Sequence, residues 1–211
     1  MEVAWRILRN ACYTDSLPQD VGEALSWDFW PNWNSEGTAN SNRIEPDVFL
    51  RFAALDLIVE SKRWDNCMQS REQWEREVTA YVNEYGTGHG QVRLLALGGI
   101  WKTDDDEVIV ERRSPTGERK LKCPVHMCKW NRLLNECQRA KRELSRMKYH
   151  SSQTLAHQRI LSDLIDLFTW HGFQAGVWFS DIVPRLPHIN SSVFVSHRVF
   201  QGLSSKHMFK S

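Results

Sequence analysis

Asp47 stands behind a proline, and Glu60 and Lys62 close an apolar run, within the stretch from Ile44 to Tyr85. These residue types can assemble a hydrolytic metal site. Carboxylates are hard oxygen ligands suited to Mg²⁺, which prefers them and keeps several waters. A metal so held polarises a phosphoryl group and lowers the pKa of a bound water, while a nearby lysine orients that water or offsets developing negative charge. Glu60 and Lys62 are two residues apart, so on a strand they point the same way. Polar groups at the end of an otherwise apolar strand are hard to justify as packing alone.

The elements that must position them can be read from the pattern. Pro46 starts an extended segment whose alternation places Asp47, Phe49 and Arg51 on one face and Val48, Leu50 and Phe52 on the other. A second strand, Leu55 to Lys62, sets Asp56, Ile58, Glu60 and Lys62 against Leu55, Leu57 and Val59. A single straight strand would hold the two acids about 40 Å apart. The chemistry therefore requires a reversal at Phe52-Ala53-Ala54, although these are poor turn formers. Asn66, with Gln69 three residues later, predicts a helix start. Trp74, Val78, Tyr81, Val82 and Tyr85 then form an apolar stripe, with Gln69, Gln73 and Glu77 as a polar row beside it. Gly86-Thr-Gly-His-Gly90 ends that helix, residues 91–97 read as a buried central strand, and residues 107–112 as a further strand.

Pro46-Asp47, twelve residues, then Glu60-Ser61-Lys62 resembles the motif of the PD-(D/E)xK nuclease superfamily, with its restriction-endonuclease-like fold. The resemblance covers roughly residues 1–112. It implies that Asp47 and Glu60 bind Mg²⁺ or Mn²⁺, that the Ser61 backbone carbonyl adds a ligand, and that Lys62 serves in catalysis. It also implies a catalytic glutamine on the following helix, matched by Gln73, with Gln69 as the other candidate. A further acid from the first helix would be Glu23, or Glu45 nearby. The Gln-x-x-x-Tyr variant of one branch is absent, because position 77 is Glu.

The fold expectation is therefore α/β, a restriction-endonuclease-like mixed central sheet flanked by helices, with a helical C-terminal extension. The core would take residues 1–113, and a basic, mainly helical extension residues 114–211. Residues 2–12 suit a short amphipathic helix, and Asp20 to Glu23 has capping-box spacing for a second one reaching Leu25. Trp27, Trp30 and Trp33 lie in an irregular stretch to Arg43, as a stacking platform for bases or, more in keeping with buried Trp, as anchors packing a long loop. Residues 130–147 and 161–168 mark two amphipathic helices, the second ending near Gly172. Apolar clusters near 177–179 and 193–195, broken by Pro184 and Pro187, have no clear assignment.

The net charge of +1 is unevenly spread: residues 112–148 hold twelve basic side chains against three acidic ones. That segregation suits a phosphate-tracking surface, or equally a solvated helix face. Five cysteines without framework spacing suggest reduced thiols in a cytoplasmic setting. Cys123, His126, Cys128 and Cys137 do not match a paired zinc spacing, and Cys137 falls on an apolar stripe. His89 and His171 read as solvent or capping residues. Gly86-x-Gly-x-Gly follows a helix rather than a strand, so it is not a nucleotide-binding loop. No apolar run is long enough for a membrane span. The expectation is a metal-dependent nuclease, endonuclease or exonuclease, acting on nucleic acid with DNA the first choice, alone, as a homodimer or with a partner subunit. The alternative is a non-catalytic nucleic-acid-binding or assembly subunit that retains the fold. Protein or inhibitor interactions through the Trp-rich stretch and the basic helix are a third reading.

Overall fold

The computed structural model describes residues 2–40, 42–63, 68–87, 91–100, 103–114, 117–149 and 151–173, with only the backbone for 112–119. Residues 1–175 form one compact unit, while Gly176–Ser211 form a second unit outside the described residues. The proposed helix start at Asn66, His89, the end of the Gly86–Gly90 loop and the apolar clusters beyond residue 176 also lie outside them.

The chain runs α1 (Glu2–Ala11), β1 (Ala24–Phe29), β2 (Val48–Phe52), β3 (Leu55–Ser61), α2 (Arg71–Tyr85), β4 (Gln91–Leu97), β5 (Asp106–Ser114), β6 (Gly117–Cys128), α3 (Trp130–Ser145) and α4 (Ser152–Trp170). The six strands form one mixed sheet in the order β1-β2-β3-β4-β6-β5. β1, β2 and β3 are antiparallel neighbours, β4 lies parallel to both β3 and β6, and β5 closes the far edge antiparallel to β6. This is the expected α/β architecture, a mixed sheet with flanking helices and a helical C-terminal region.

β3 and β4 are parallel and need a crossover, which α2 supplies. Its stripe of Trp74, Val78, Tyr81 and Val82 packs with Phe49, Ile58, Leu94 and Met127 on one face of the sheet. The opposite face buries Leu55, Leu57, Val59, Leu95 and Leu97 with Trp5 and Leu17, and Trp130 and Leu133 of α3 border it. Beyond them α1, α3 and α4 share a smaller core of Ile7, Cys137, Ala140, Leu144 and Leu161. Both faces of β3 are thus covered, so its polar residues are polar inside the protein.

The reversal falls between β2 and β3 at Ala53-Ala54, and the register pairs Val48 with Val59 through Arg51 with Asp56. Neither alanine takes a positive φ, so this is not one of the primed turns that two-residue hairpins favour. It is held from outside: Ala53 N–H donates to Glu23 O (2.9 Å) and Ala54 N–H to Val21 O (3.1 Å). Gly22, at φ +73°, lies between those acceptors, where a Cβ would sit 2.9 Å from Ala53 Cβ.

Several local expectations are corrected. Residues 20–25 do not form a helix; Asp20 Oδ1 accepts from Gly22 N–H (2.9 Å), a local turn that leads into β1. The stretch from Trp27 is β1 before it becomes a loop. Trp33 is buried against Phe49, Tyr81 and Tyr85, but Trp27 and Trp30 are exposed and anchor nothing. α2 starts at Arg71. A boundary at 113/114 falls in the β5–β6 hairpin, and β6 belongs to the sheet.

Candidate active site

The pairing of Val48 with Val59 carries Asp47 to the position opposite Glu60, at the end of the sheet away from the Ala53-Ala54 reversal. Asp47 Oδ2 accepts from both Ser61 N–H and Ser61 Oγ–H, each at 2.7 Å. Asp47 is half-buried, whereas Glu60 is 4% exposed. Glu60 Oε1 receives Lys62 Nζ at 2.8 Å, and the lysine side chain keeps 23% of its surface exposed, so this pair faces both protein and solvent.

Lys62 is held at four points. Its N–H donates to Leu97 O (2.8 Å) and its carbonyl accepts from Trp130 Nε1 (2.7 Å). The ammonium bridges Glu60 Oε1 and Gln73 Oε1, both at 2.8 Å. Gly98, at φ +71°, leaves room for this clasp, since a Cβ there would come within 2.5 Å of both Lys62 O and Trp130 Nε1.

The two candidate glutamines separate cleanly. Gln73, on the first turn of α2, meets the lysine. Gln69 lies before the helix, 3% exposed, as a plug: its Nε2 donates to Glu60 O (3.1 Å) and Gly98 O (3.1 Å), and its Oε1 accepts from Trp74 Nε1 (3.0 Å). Glu23 lies by the reversal, at the opposite end of β2 from Asp47, and so is not part of the constellation. Glu45 is exposed and accepts from Asn32 Nδ2 at 3.4 Å.

Glu77 is the residue that sequence reasoning passed over. One turn after Gln73 on α2, it is 2% exposed, and its Oε1 accepts from Gln73 Nε2 at 3.1 Å. Its carboxyl also lies against that of Glu60. Burial first, then the charge of Glu60 and more weakly that of Asp47, holds its carboxyl well above the usual carboxylate range, against the opposing pull of the Gln73 hydrogen bond. The signal was present as the i, i+4 row of Gln69, Gln73 and Glu77, in which an acid on the sheet-facing side of a helix needs a partner.

A second polar cluster at the other end of β3 is closed on itself. Asp56 accepts from Arg51 Nε (3.2 Å) and Tyr81 Oη (2.7 Å), and Arg51 lies 4.4 Å over the Tyr85 ring. With both carboxylate oxygens taken and 6% exposure, Asp56 is a satisfied core acid, although the Arg51 Nη2 beside it is buried without a hydrogen bond.

Among the described residues no three His, Cys, Asp or Glu side chains are grouped so as to hold a metal ion. Cys123 packs on the α2 face and Cys128 on the opposite face, which separates the cysteines of the zinc candidate. Burial pushes the Cys123 thiol up to about 12 and the Cys137 thiol up to about 11, so both are inert core groups. The donors at Asp47 and Glu60 are two carboxylates beside a strand carbonyl, an all-oxygen set that fits Mg²⁺ or Mn²⁺ better than a soft metal.

The basic segment is partly committed to structure. Arg132 donates to Ala11 O and Cys12 O, Arg139 pairs with Glu136, and Lys120 with Glu111. Lys141, Arg142 and Arg146 remain together on the outer part of α3 around a shallow pocket.

The fold and this constellation define an α/β domain with an Asp–Glu–Lys cluster at adjacent strand ends. No family model matches the chain. It is 31% identical over 166 residues to an uncharacterized protein of Pasteurella multocida (strain Pm70), a match taking in 73% of this chain and 57% of that protein. The chain thus spans little more than half the length of the relative. Among solved structures, it is similar over 66% of its length to 28% of a chain in a half-complex of Thermococcus gammatolerans McrB AAA+ hexamers with bound McrC, at 10% identity and a TM-score of 0.27. No helix among the described residues is long and apolar enough to cross a membrane.

Proposed function

We propose that this chain is a metal-dependent nuclease of the PD-(D/E)xK type, hydrolysing phosphodiester bonds in nucleic acid, with DNA the first substrate to test. The observation that carries the reading is the antiparallel register that sets Asp47 against Glu60 and Ser61 while Lys62 Nζ lies 2.8 Å from Glu60. Asp47, Glu60 and the Ser61 carbonyl would hold Mg²⁺ or Mn²⁺. When bound, such an ion supplies charge stabilisation at the phosphoryl oxygens and an acidified water. Asp47 presents its carboxylate in one fixed orientation, because Ser61 clamps one of its oxygens. Lys62 places a positive charge where negative charge grows on an in-line path, and Gln73 keeps the ammonium from turning away.

The test is cleavage of supercoiled, linear duplex, single-stranded and RNA substrates with and without Mg²⁺ or Mn²⁺, beside Asp47→Ala, Glu60→Ala and Lys62→Ala. Metal-dependent cutting by the wild type that each substitution reduces at least 100-fold supports the reading. Cutting that survives all three substitutions removes the site. Binding without cutting on every substrate replaces the enzyme with a nucleic-acid-binding or assembly subunit.

A further inference from the structure

The polar row on α2 ends in a carboxyl group that the motif does not use. Lys62 Nζ donates to Gln73 Oε1 (2.8 Å), Gln73 Nε2 donates to Glu77 Oε1 (3.1 Å), and Glu77 is 2% exposed. The chain of bonds has only one consistent sense. An ammonium is purely a donor, so the amide must turn its oxygen to Lys62, and its NH₂ then needs an acceptor on the other side. Glu77 supplies that acceptor whether its carboxyl is ionised or neutral, since either form offers an oxygen lone pair. An apolar side chain at position 77 would leave the amide NH₂ without its acceptor and the amide held only by the ammonium.

We propose that Glu77 is a positioning residue that anchors the NH₂ end of the Gln73 amide, and so holds the amide oxygen on the Lys62 ammonium and the ammonium against Glu60. The arrangement gives a role to an acid that is 2% exposed. Burying a carboxyl group costs stability unless hydrogen bonds offset it. Gln73 alone is held at its oxygen end only, and Glu77 supplies the second point of attachment. The catalytic consequence rests on the nuclease reading, whereas the geometric one does not.

Two substitutions of Glu77, with variants at Lys62 and Gln73 as references, and two readouts test it. In metal-free protein carrying ¹⁵N-lysine, a Lys62 ammonium held at 2.8 Å by two acceptors exchanges its protons slowly enough to give its own signal, assigned by its loss in Lys62→Ala. Glu77→Leu is expected to abolish that signal and to lower kcat at least tenfold with KM changed less than twofold. Glu77→Gln, which keeps an oxygen acceptor and the shape, is expected to retain the signal and at least a third of kcat. In a Gln73→Leu background, adding Glu77→Leu is expected to change kcat less than twofold. A retained Lys62 signal in Glu77→Leu, or its loss in Glu77→Gln, overturns the proposal. If Glu77→Leu does not fold, the Glu77→Gln outcome alone decides in the same way. If the wild type cuts nothing, the nuclease reading fails while the ammonium signal still decides the relay.

Discussion

Asp47 Oδ2 accepts two hydrogen bonds from Ser61, one from its backbone N–H and one from its hydroxyl, both at 2.7 Å. The acid of one strand is thereby tied to the residue that follows the acid of the next. Hydrogen bonds to a charged group contribute about 1.5–3 kcal/mol. Ser61→Ala removes one of the pair and keeps the other, so it should cost about 1–2 kcal/mol and slow cutting a few-fold without abolishing it. Urea unfolding and single-turnover rates measure both. A variant as stable as the wild type would show that the hydroxyl contributes nothing.

The hairpin reversal depends on the segment before β1. Gly22→Ala puts a Cβ 2.9 Å from Ala53 Cβ at a backbone φ of +73°. A loss of about 1–3 kcal/mol is expected, together with reduced cutting, because the register that brings Asp47 to Glu60 starts from that turn. Thermal melting and cleavage should fall together. Loss of stability with full activity would separate the turn from the site.

Trp130→Phe keeps a ring beside Phe168, whose centroid lies 6.0 Å away, but removes the N–H that reaches Lys62 O at 2.7 Å. An unpaired buried carbonyl costs about 1–3 kcal/mol. Gly98→Ala should be worse, because its Cβ would come within 2.5 Å of the same carbonyl at a φ of +71°. The expected order in Tm is wild type, Trp130→Phe, Gly98→Ala, and the reverse order would overturn this picture of the clasp.

His126 gives a pH prediction away from the site. It is fully buried; its Nδ1 lies 2.9 Å from Ser16 Oγ and 3.4 Å from Asp105 Oδ2, and Ser16 also bonds Asp105. Burial lowers its pKa, Arg93 adds to that, and Asp105 pulls the other way without winning. A base with a depressed folded pKa binds fewer protons folded than unfolded. Its stabilising share is present above the unfolded value near 6.5 and is lost as pH falls through the lower folded value. Unfolding free energy should therefore drop from pH 7 to pH 5 more steeply in wild type than in His126→Leu. Equal slopes in the two proteins would contradict it.

Much of the site could be read from the chain because strand alternation has a period of two. It placed Asp47 with Phe49 and Glu60 with Ile58, and all four lie on the α2 side of the sheet. The reversal was demanded by the acids but invisible locally, since its support comes from Val21 and Glu23, some thirty residues earlier. β1 gave no burial pattern, because as an edge strand it exposes Leu25, Trp27 and Phe29. β6 alternates Leu121, Cys123, Val125 and Met127 inward, but its charges and Pro124 argue against a strand between two others. The structure tolerates the proline because pairing with β4 begins only at Val125.

Lys62 is where the helical layers of the two sheet faces touch the same residue. Its ammonium is fixed by Gln73 of α2, on one face, and its carbonyl by Trp130 of α3, on the other. Trp130 also lines a groove of about 740 Å³ with Leu164 and Leu167 of α4. The order of Lys62 is thus set partly by how tightly the rear helices close. Events at that groove, whether a substitution or a bound apolar segment, reach the candidate site through the Trp130 indole N–H.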